Sequence, residues 1–138
     1  MFKATKEFKR DMAHRLPTHE WKCRNVHWHT YKALITIEWE DLQLEWPETG
    51  MLKDFWNFKP IKDWIDKNRD HAYVWERDDD VTQYLKARWF KVFEMWIPTA
   101  ENMAIILYEI ASELLKWVSI NKVIIYETPS SSAEYSPQ

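Results

Sequence analysis

Polar and apolar positions alternate along two long stretches of the chain, and each predicts a strand. Residues 2 to 10, FKATKEFKR, alternate loosely in the manner of a half-buried strand. From Asn25 to Glu38 the alternation is cleaner. It places His27, His29, Tyr31, Ala33, Ile35 and Ile37 on one face, and Val26, Trp28, Thr30, Lys32, Leu34, Thr36 and Glu38 on the other. Between the two lies a loop, Met12 to Arg24, holding His14, Pro17, His19 and Cys23. WPETG, with Pro47 and Gly50, reads as a turn into a short strand MLKDF, together a β-hairpin.

The period then changes. After Pro60, Ile61, Trp64 and Ile65 recur at i, i+3, i+4, which predicts a helix. Residues 69 to 97 look irregular, and the acidic run ERDDD at 76 to 80 reads as a solvated loop rather than a metal site. Pro98 and Thr99 open a second helix, with Thr99 as N-cap, Glu101 in its first turn, and a stripe of Met103, Ile106, Leu107, Ile110 and Leu114. A final strand, NKVIIYE, ends in Glu127, and a polar tail of about 128–138 follows. Strands, two helices and a closing strand argue an α+β fold, an antiparallel sheet covered by helices on one face. With 138 residues the chain holds one core, so a single domain is expected over 1–138. The long sheet and scarce core suggest that strands also pair across subunits.

Charge narrows the function. The 19 basic and 22 acidic residues are mixed and leave a net charge of -3 without a basic stripe, so nucleic acid and anionic membrane are not expected partners. No run of 18 apolar residues and no apolar signal core appear, and a cytoplasmic location is expected. The single cysteine can form no internal disulfide; it is a candidate nucleophile, base or ligand, or else a small buried apolar residue.

Two histidines at i and i+2 on a strand point the same way and can both reach one cation at the ~2.0 Å Zn–N distance. His14, at the end of the first strand, is the natural third ligand, with His19 and His71 as other options. Three neutral imidazoles with an open fourth position form a catalytic rather than a structural zinc arrangement. Cys23, in the loop, could sit beside the metal without ligating it, where a nearby cation favours its thiolate as a base. Asp70 and His71 form a carboxylate-oriented histidine suited to relaying protons, or an ordinary loop ion pair.

AHRLP at 13 to 17, KCRNVHWH at 22 to 29, TGMLKDF at 49 to 55, DHAYV at 70 to 74, PTAEN at 98 to 102 and YETPSSSAEY at 126 to 135 together resemble the 6-pyruvoyl-tetrahydropterin synthase family. The likeness is nearest to its bacterial and phage branch, the 6-carboxy-tetrahydropterin synthases of queuosine precursor synthesis. It implies the tunnelling fold (T-fold), with sheets joined across subunits into a barrel, a homo-hexamer and active sites at the interfaces. It also implies a zinc ion on His14, His27 and His29, Cys23 as catalytic base, and Asp70 and His71 as its relay partners. Glu127 would anchor the pterin's amino-pyrimidine edge, and Thr99 and Glu101 would line the substrate pocket. The expected reaction converts 7,8-dihydroneopterin triphosphate to 6-carboxytetrahydropterin. The alternatives are the pyruvoyl-forming reaction or an inactive zinc-binding scaffold.

One figure is out of proportion. Ordinary usage would give roughly ten glycines in this length; there is one, Gly50, against ten tryptophans. The resemblance puts Gly where this chain has Trp21, Trp28 and Trp56, and turn reasoning adds Trp117 and Trp89 after helix ends, with Trp39, Trp46 and Trp96 at edges or turns. Trp64 and Trp75 look ordinary. The pattern reads as an altered family member with Trp written for Gly.

Overall fold

The computed structural model describes residues 1–16 and 20–138. The first alternating segment forms β1 (Phe2–His14), and Phe8, Met12 and His14 turn inward along it. It pairs antiparallel with β2 (His27–Trp39), setting Phe8 opposite Ala33 and His14 opposite His27. On β2 the predicted face is the buried one: Tyr31, Ala33, Ile35 and Ile37 lie in the core. Each isoleucine removed from water contributes roughly 1.5 to 3 kcal/mol, so a one-residue slip, which would expose the whole face, is strongly disfavoured.

The segment MLKDF is not a strand. Gln43 and Met51 are joined by a backbone hydrogen bond of 2.7 Å, and Gly50, at φ 81°, closes the turn. The chain then enters a 3-10 turn at Phe55–Phe58, because the Asp54 carboxylate accepts from the Trp56 N–H and starts a helical turn instead of a ladder. The first helix, α1 (Lys59–Asn68), buries Ile61 and Ile65 as the stripe predicts.

Residues 69 to 97 are ordered rather than irregular. They contain β3 (Ala72–Trp75), α2 (Asp80–Ala87) and β4 (Val92–Glu94). All four residues of β3 are buried, so it shows no alternation to read. The acidic run is no solvated loop at its end: Asp79 caps α2 by accepting from the Thr82 N–H, and its buried carboxylate pairs with Arg15 and accepts from the Tyr73 hydroxyl. The polar tail also carries structure, since β6 (Ser131–Tyr135) folds back on β5 (Ser119–Thr128).

The last helix, α3 (Ala100–Leu114), starts at the predicted N-cap, where the Thr99 hydroxyl accepts from the Asn102 N–H. Its buried side is Ala100, Met103, Ala104, Leu107 and Ala111, one step round from the expected stripe, and Leu114 faces solvent. Small alanines let the helix lie close against the sheet, a preference that bulk alone did not reveal.

The six strands form one sheet in the order β4-β3-β1-β2-β5-β6. The β1–β2, β2–β5 and β5–β6 pairs are antiparallel, whereas β3 runs parallel to β1 and to β4. The α+β expectation holds, with a mixed sheet and three helices among the described residues in place of an antiparallel sheet and two. The core fills the space between the sheet and helices α1 and α3. Among the described residues no helix is long and apolar enough to cross a membrane.

All eight tryptophans assigned to glycine-like places are exposed, from 40% at Trp117 to 95% at Trp89, while Trp75 is buried and Trp64 half-buried. Trp89 does adopt the left-handed region, at φ 64°. Trp117 does not, because the chain leaves α3 through Leu115 at φ -114°.

Candidate metal centre

Strand register builds the site. Pairing of β1 with β2 brings His14 opposite His27, and the period of two sets His29 on the same inward face. β5 lies on the other side of β2 with Tyr126 opposite Lys32, which delivers the next residue, Glu127, to the same end of the sheet. The ring centroids of the three histidines are 4.5 to 5.2 Å apart. One ligand atom from each histidine and one from Glu127 lie within 4.8 Å of one another, a set that could hold a metal ion.

The hydrogen bonds orient the rings for that task. Nδ1 of His14 faces the Pro98 carbonyl at 2.9 Å, and Nδ1 of His27 faces the Asn25 carbonyl at 2.7 Å. A carbonyl only accepts, so each Nδ1 carries the proton and each neutral ring keeps a lone pair at Nε2. Nε2 of His27 is buried without a hydrogen-bond partner among the described residues. Nε2 of His14 and of His29 meet the same Glu127 oxygen at 3.3 and 3.2 Å. Lone pairs against a carboxylate repel, and a proton or a bound cation between them removes the repulsion. The donor set therefore fits a metal of the zinc type, with imidazole nitrogens and one carboxylate.

Electrostatics agree. Where it is a proton that lies between them, hydrogen bonding from His14 holds Glu127 below the usual carboxylate range, against the opposing effect of partial burial. Burial lowers His29, reinforced by the neighbouring His14 and His27 and resisted by Glu127, so its neutral, ligating form is favoured near pH 7. The Tyr31 hydroxyl lies 3.3 Å from the His14 ring nitrogens, and burial pushes its pKa upward, keeping it a neutral neighbour.

The other predicted residues fall into two groups. Cys23 is half-buried in a 3-10 turn at Lys22–Arg24, and its carbonyl accepts from the N–H of Leu16, two residues past His14. Thr99 and Glu101 begin α3 just beyond the Pro98 carbonyl that orients His14; Thr99 caps the helix and Glu101 is exposed. These residues form the first group, joined by hydrogen bonds to the segment or the ring of His14. Asp70 and His71 form the second. They pair with each other at 2.9 Å, and His71, at φ 57° and 76% exposed, opens onto a separate cleft with Asp11, Trp28 and Thr30. His19 lies outside the described residues. Glu127's place among the donors was not legible, because the register of β5 against β2 leaves no mark in a single sequence.

His29 and Glu127 open onto a cleft of about 510 Å³ that also presents Lys9, Lys32, Tyr126 and Thr128, a size suited to a small-molecule ligand. Trp28 points off the histidine face and is 77% exposed, so it does not fill the donor cluster.

The chain is 36% identical over 141 residues to the 6-carboxy-5,6,7,8-tetrahydropterin synthase of Haemophilus influenzae, covering 98% of this chain and 99% of that protein. It is 32% identical to the Rickettsia bellii protein of the same name, covering 97% and 99%. Among solved structures it is similar to an uncharacterized protein from Wolinella succinogenes, with a TM-score of 0.81 at 21% identity over 99% and 98% of the two chains. It is also similar to the 6-pyruvoyl tetrahydropterin synthase of Caenorhabditis elegans, with a TM-score of 0.68 at 22% identity over 99% and 96%. These likenesses establish the T-fold. The family model for 6-pyruvoyl tetrahydropterin synthase matches residues 3–138, and the chain belongs to that family.

Proposed function

We propose that the chain is a zinc-dependent 6-carboxy-5,6,7,8-tetrahydropterin synthase. It takes 7,8-dihydroneopterin triphosphate and water to 6-carboxytetrahydropterin, acetaldehyde and triphosphate, in the formation of a queuosine precursor. The observation that carries the reading is the convergence of His14, His27, His29 and Glu127, of which His29 and Glu127 line a cleft of about 510 Å³, in a chain whose full-length relatives bear that name.

A zinc ion on the three Nε2 atoms would supply a Lewis acid for the substrate's side-chain oxygens, making the adjacent C–H groups more acidic. The protein's own residues do the rest. Cys23 takes the proton as base, and the Asp70–His71 pair relays it. With the histidines holding the ion, Glu127 would be the carboxylate that accepts two N–H donors from the amino-pyrimidine edge of the pterin. Thr99 and Glu101 border the pocket at the start of α3.

Because His71 opens on a different cleft from the histidines of its own chain, a complete site draws His71 from a neighbouring subunit. A homo-hexamer, a dimer of trimers with sheets joined through the free edges of β4 and β6, meets that need. The reaction and its soluble substrate suit a cytoplasmic enzyme.

The test is zinc content by mass spectrometry, together with turnover of dihydroneopterin triphosphate by the parent and by Cys23→Ala. About one zinc per chain, with carboxytetrahydropterin formed by the parent and lost in the variant, is the expected result. Absence of zinc would remove the metal site, and a pyruvoyl product would overturn the carboxy assignment.

A further inference from the structure

Arg69, at the end of α1, is only 5% exposed, in a protein where charged side chains otherwise reach solvent or a partner. Its backbone is accounted for: the N–H donates to the Ile65 carbonyl at 2.8 Å, and its carbonyl accepts from Ala72 at 3.0 Å. A cation at a helix C-terminus is favoured by the helix dipole, which explains why a basic residue suits the position. It does not satisfy the side chain. The guanidinium stacks on Phe93, 4.0 Å from the ring centroid, and lies 5.5 Å from that of Trp64, so its faces are covered by aromatic rings. Its edge is not. Nε and Nη2 are buried and have no acceptor among the described residues.

The acids nearest in sequence are already engaged. Asp66 is held by Arg10 at 2.5 Å and by Lys62 at 2.7 Å, and Asp70 by His71. The Tyr31 hydroxyl turns to His14 and offers Arg69 no acceptor. Burial pushes the guanidinium down to about 10, still well above neutral pH, so the group remains charged inside the protein. An isolated buried charge with two idle donors costs far more than a paired one.

Arg69 lines a cavity of about 40 Å³ between the sheet and helices α1 and α3, with Arg10, Met12, Tyr31, Trp64 and Met103 around it. A single water needs roughly 10 to 15 Å³ on this measure. The cavity therefore admits one small ion with a water and excludes a pterin or a triphosphate. Arg10 is neutralised by Asp66, so the open guanidinium edge of Arg69, between thioether and aromatic walls, is what attracts a small anion and would repel a cation. We propose that this cavity is a binding site for a small inorganic monoanion, chloride in the cell, held by Nε and Nη2 of Arg69. The site is separate from the histidine cluster and does not depend on the reaction assigned to it.

The test uses the full chain with the metal content held constant. Thermal unfolding is followed in sodium chloride and, at equal ionic strength, in sodium gluconate, whose anion is too large for the cavity, for the parent and for Arg69→Met. A crystal grown with sodium bromide is measured at the bromine edge. Chloride at ten times its dissociation constant should raise the parent's Tm by about 5 °C over gluconate. The variant should show no difference between salts, and an anomalous peak should lie beside Arg69. Equal Tm values for the parent in both salts, or water density alone at the cavity, overturn the proposal. If Arg69→Met does not fold, the parent's salt dependence and the bromine map decide the matter between them.

Discussion

Replacing Trp89 with glycine should make the protein more stable, and the structure fixes by how much. Trp89 follows α2 through the C-cap Arg88, with its N–H donating to the Lys86 carbonyl and the next N–H, of Phe90, reaching back to the Leu85 carbonyl, both at 3.1 Å. This pair of bonds is the Schellman arrangement, and it requires a left-handed residue at Trp89, which is at φ 64°. A side chain with a Cβ pays about 1 to 2 kcal/mol there. The indole, at 95% exposed, returns almost nothing by burial. Against the relief stands the greater freedom glycine gives the unfolded chain, about 0.4 to 1 kcal/mol. The net gain for Trp89→Gly is then about 0.5 to 1 kcal/mol, or a rise in Tm of roughly 2 to 4 °C for a chain of this length. Trp89→Ala keeps the Cβ and should match the parent within about 0.5 kcal/mol. Urea unfolding followed by far-ultraviolet circular dichroism, at one protein concentration and one zinc level, measures all three. If glycine proves no better than alanine, the conformational argument is wrong.

Other expectations follow from the core, the metal centre and the buried acid. Ile35 is fully buried, so Ile35→Ala should cost about 2 to 5 kcal/mol, whereas Trp46→Ala, at an 88% exposed position, should stay within about 0.5 kcal/mol in the same denaturant series. His27→Ala removes one of three converging Nε2 atoms and should lower bound zinc by tenfold or more, read by equilibrium dialysis, with the far-ultraviolet spectrum retained. Burial pushes Asp79 up, but Arg15 and the Thr82 N–H outweigh it and leave the carboxyl below its usual value of 3.8. A depressed folded-state pKa stabilises above the unfolded value and is lost as pH falls through the folded one. Asp79→Asn should therefore be less stable than the parent at pH 7, and the gap should narrow between about pH 5 and pH 2 in acid titrations of stability.

What could be read from the chain depended on whether a residue's environment is local. The two strands around the histidines were legible because one face of each meets the core and the other does not, and Thr99 was legible because a cap acts within three residues. β3 was hidden because both of its faces are buried, which removes the alternation that marks a strand. Asp79 looked like one more exposed acid; its partners Arg15 and Tyr73 come from distant segments, and only the folded chain brings them to it. The three histidines were legible as a converging set, whereas Glu127 joins them through a strand register set by side-chain packing. Trp89 was correctly placed by turn chemistry. Trp117 was not, because the end of α3 closes without a left-handed residue.

Eight exposed indoles also decide how this protein can be watched. Emission from tryptophan in water is long-wave and changes little when the chain unravels, and here that signal outweighs the contribution of buried Trp75 and half-buried Trp64. Intrinsic fluorescence would report a nearly unfolded spectrum from a fully folded molecule, and a quencher such as iodide or acrylamide would extinguish most of its light.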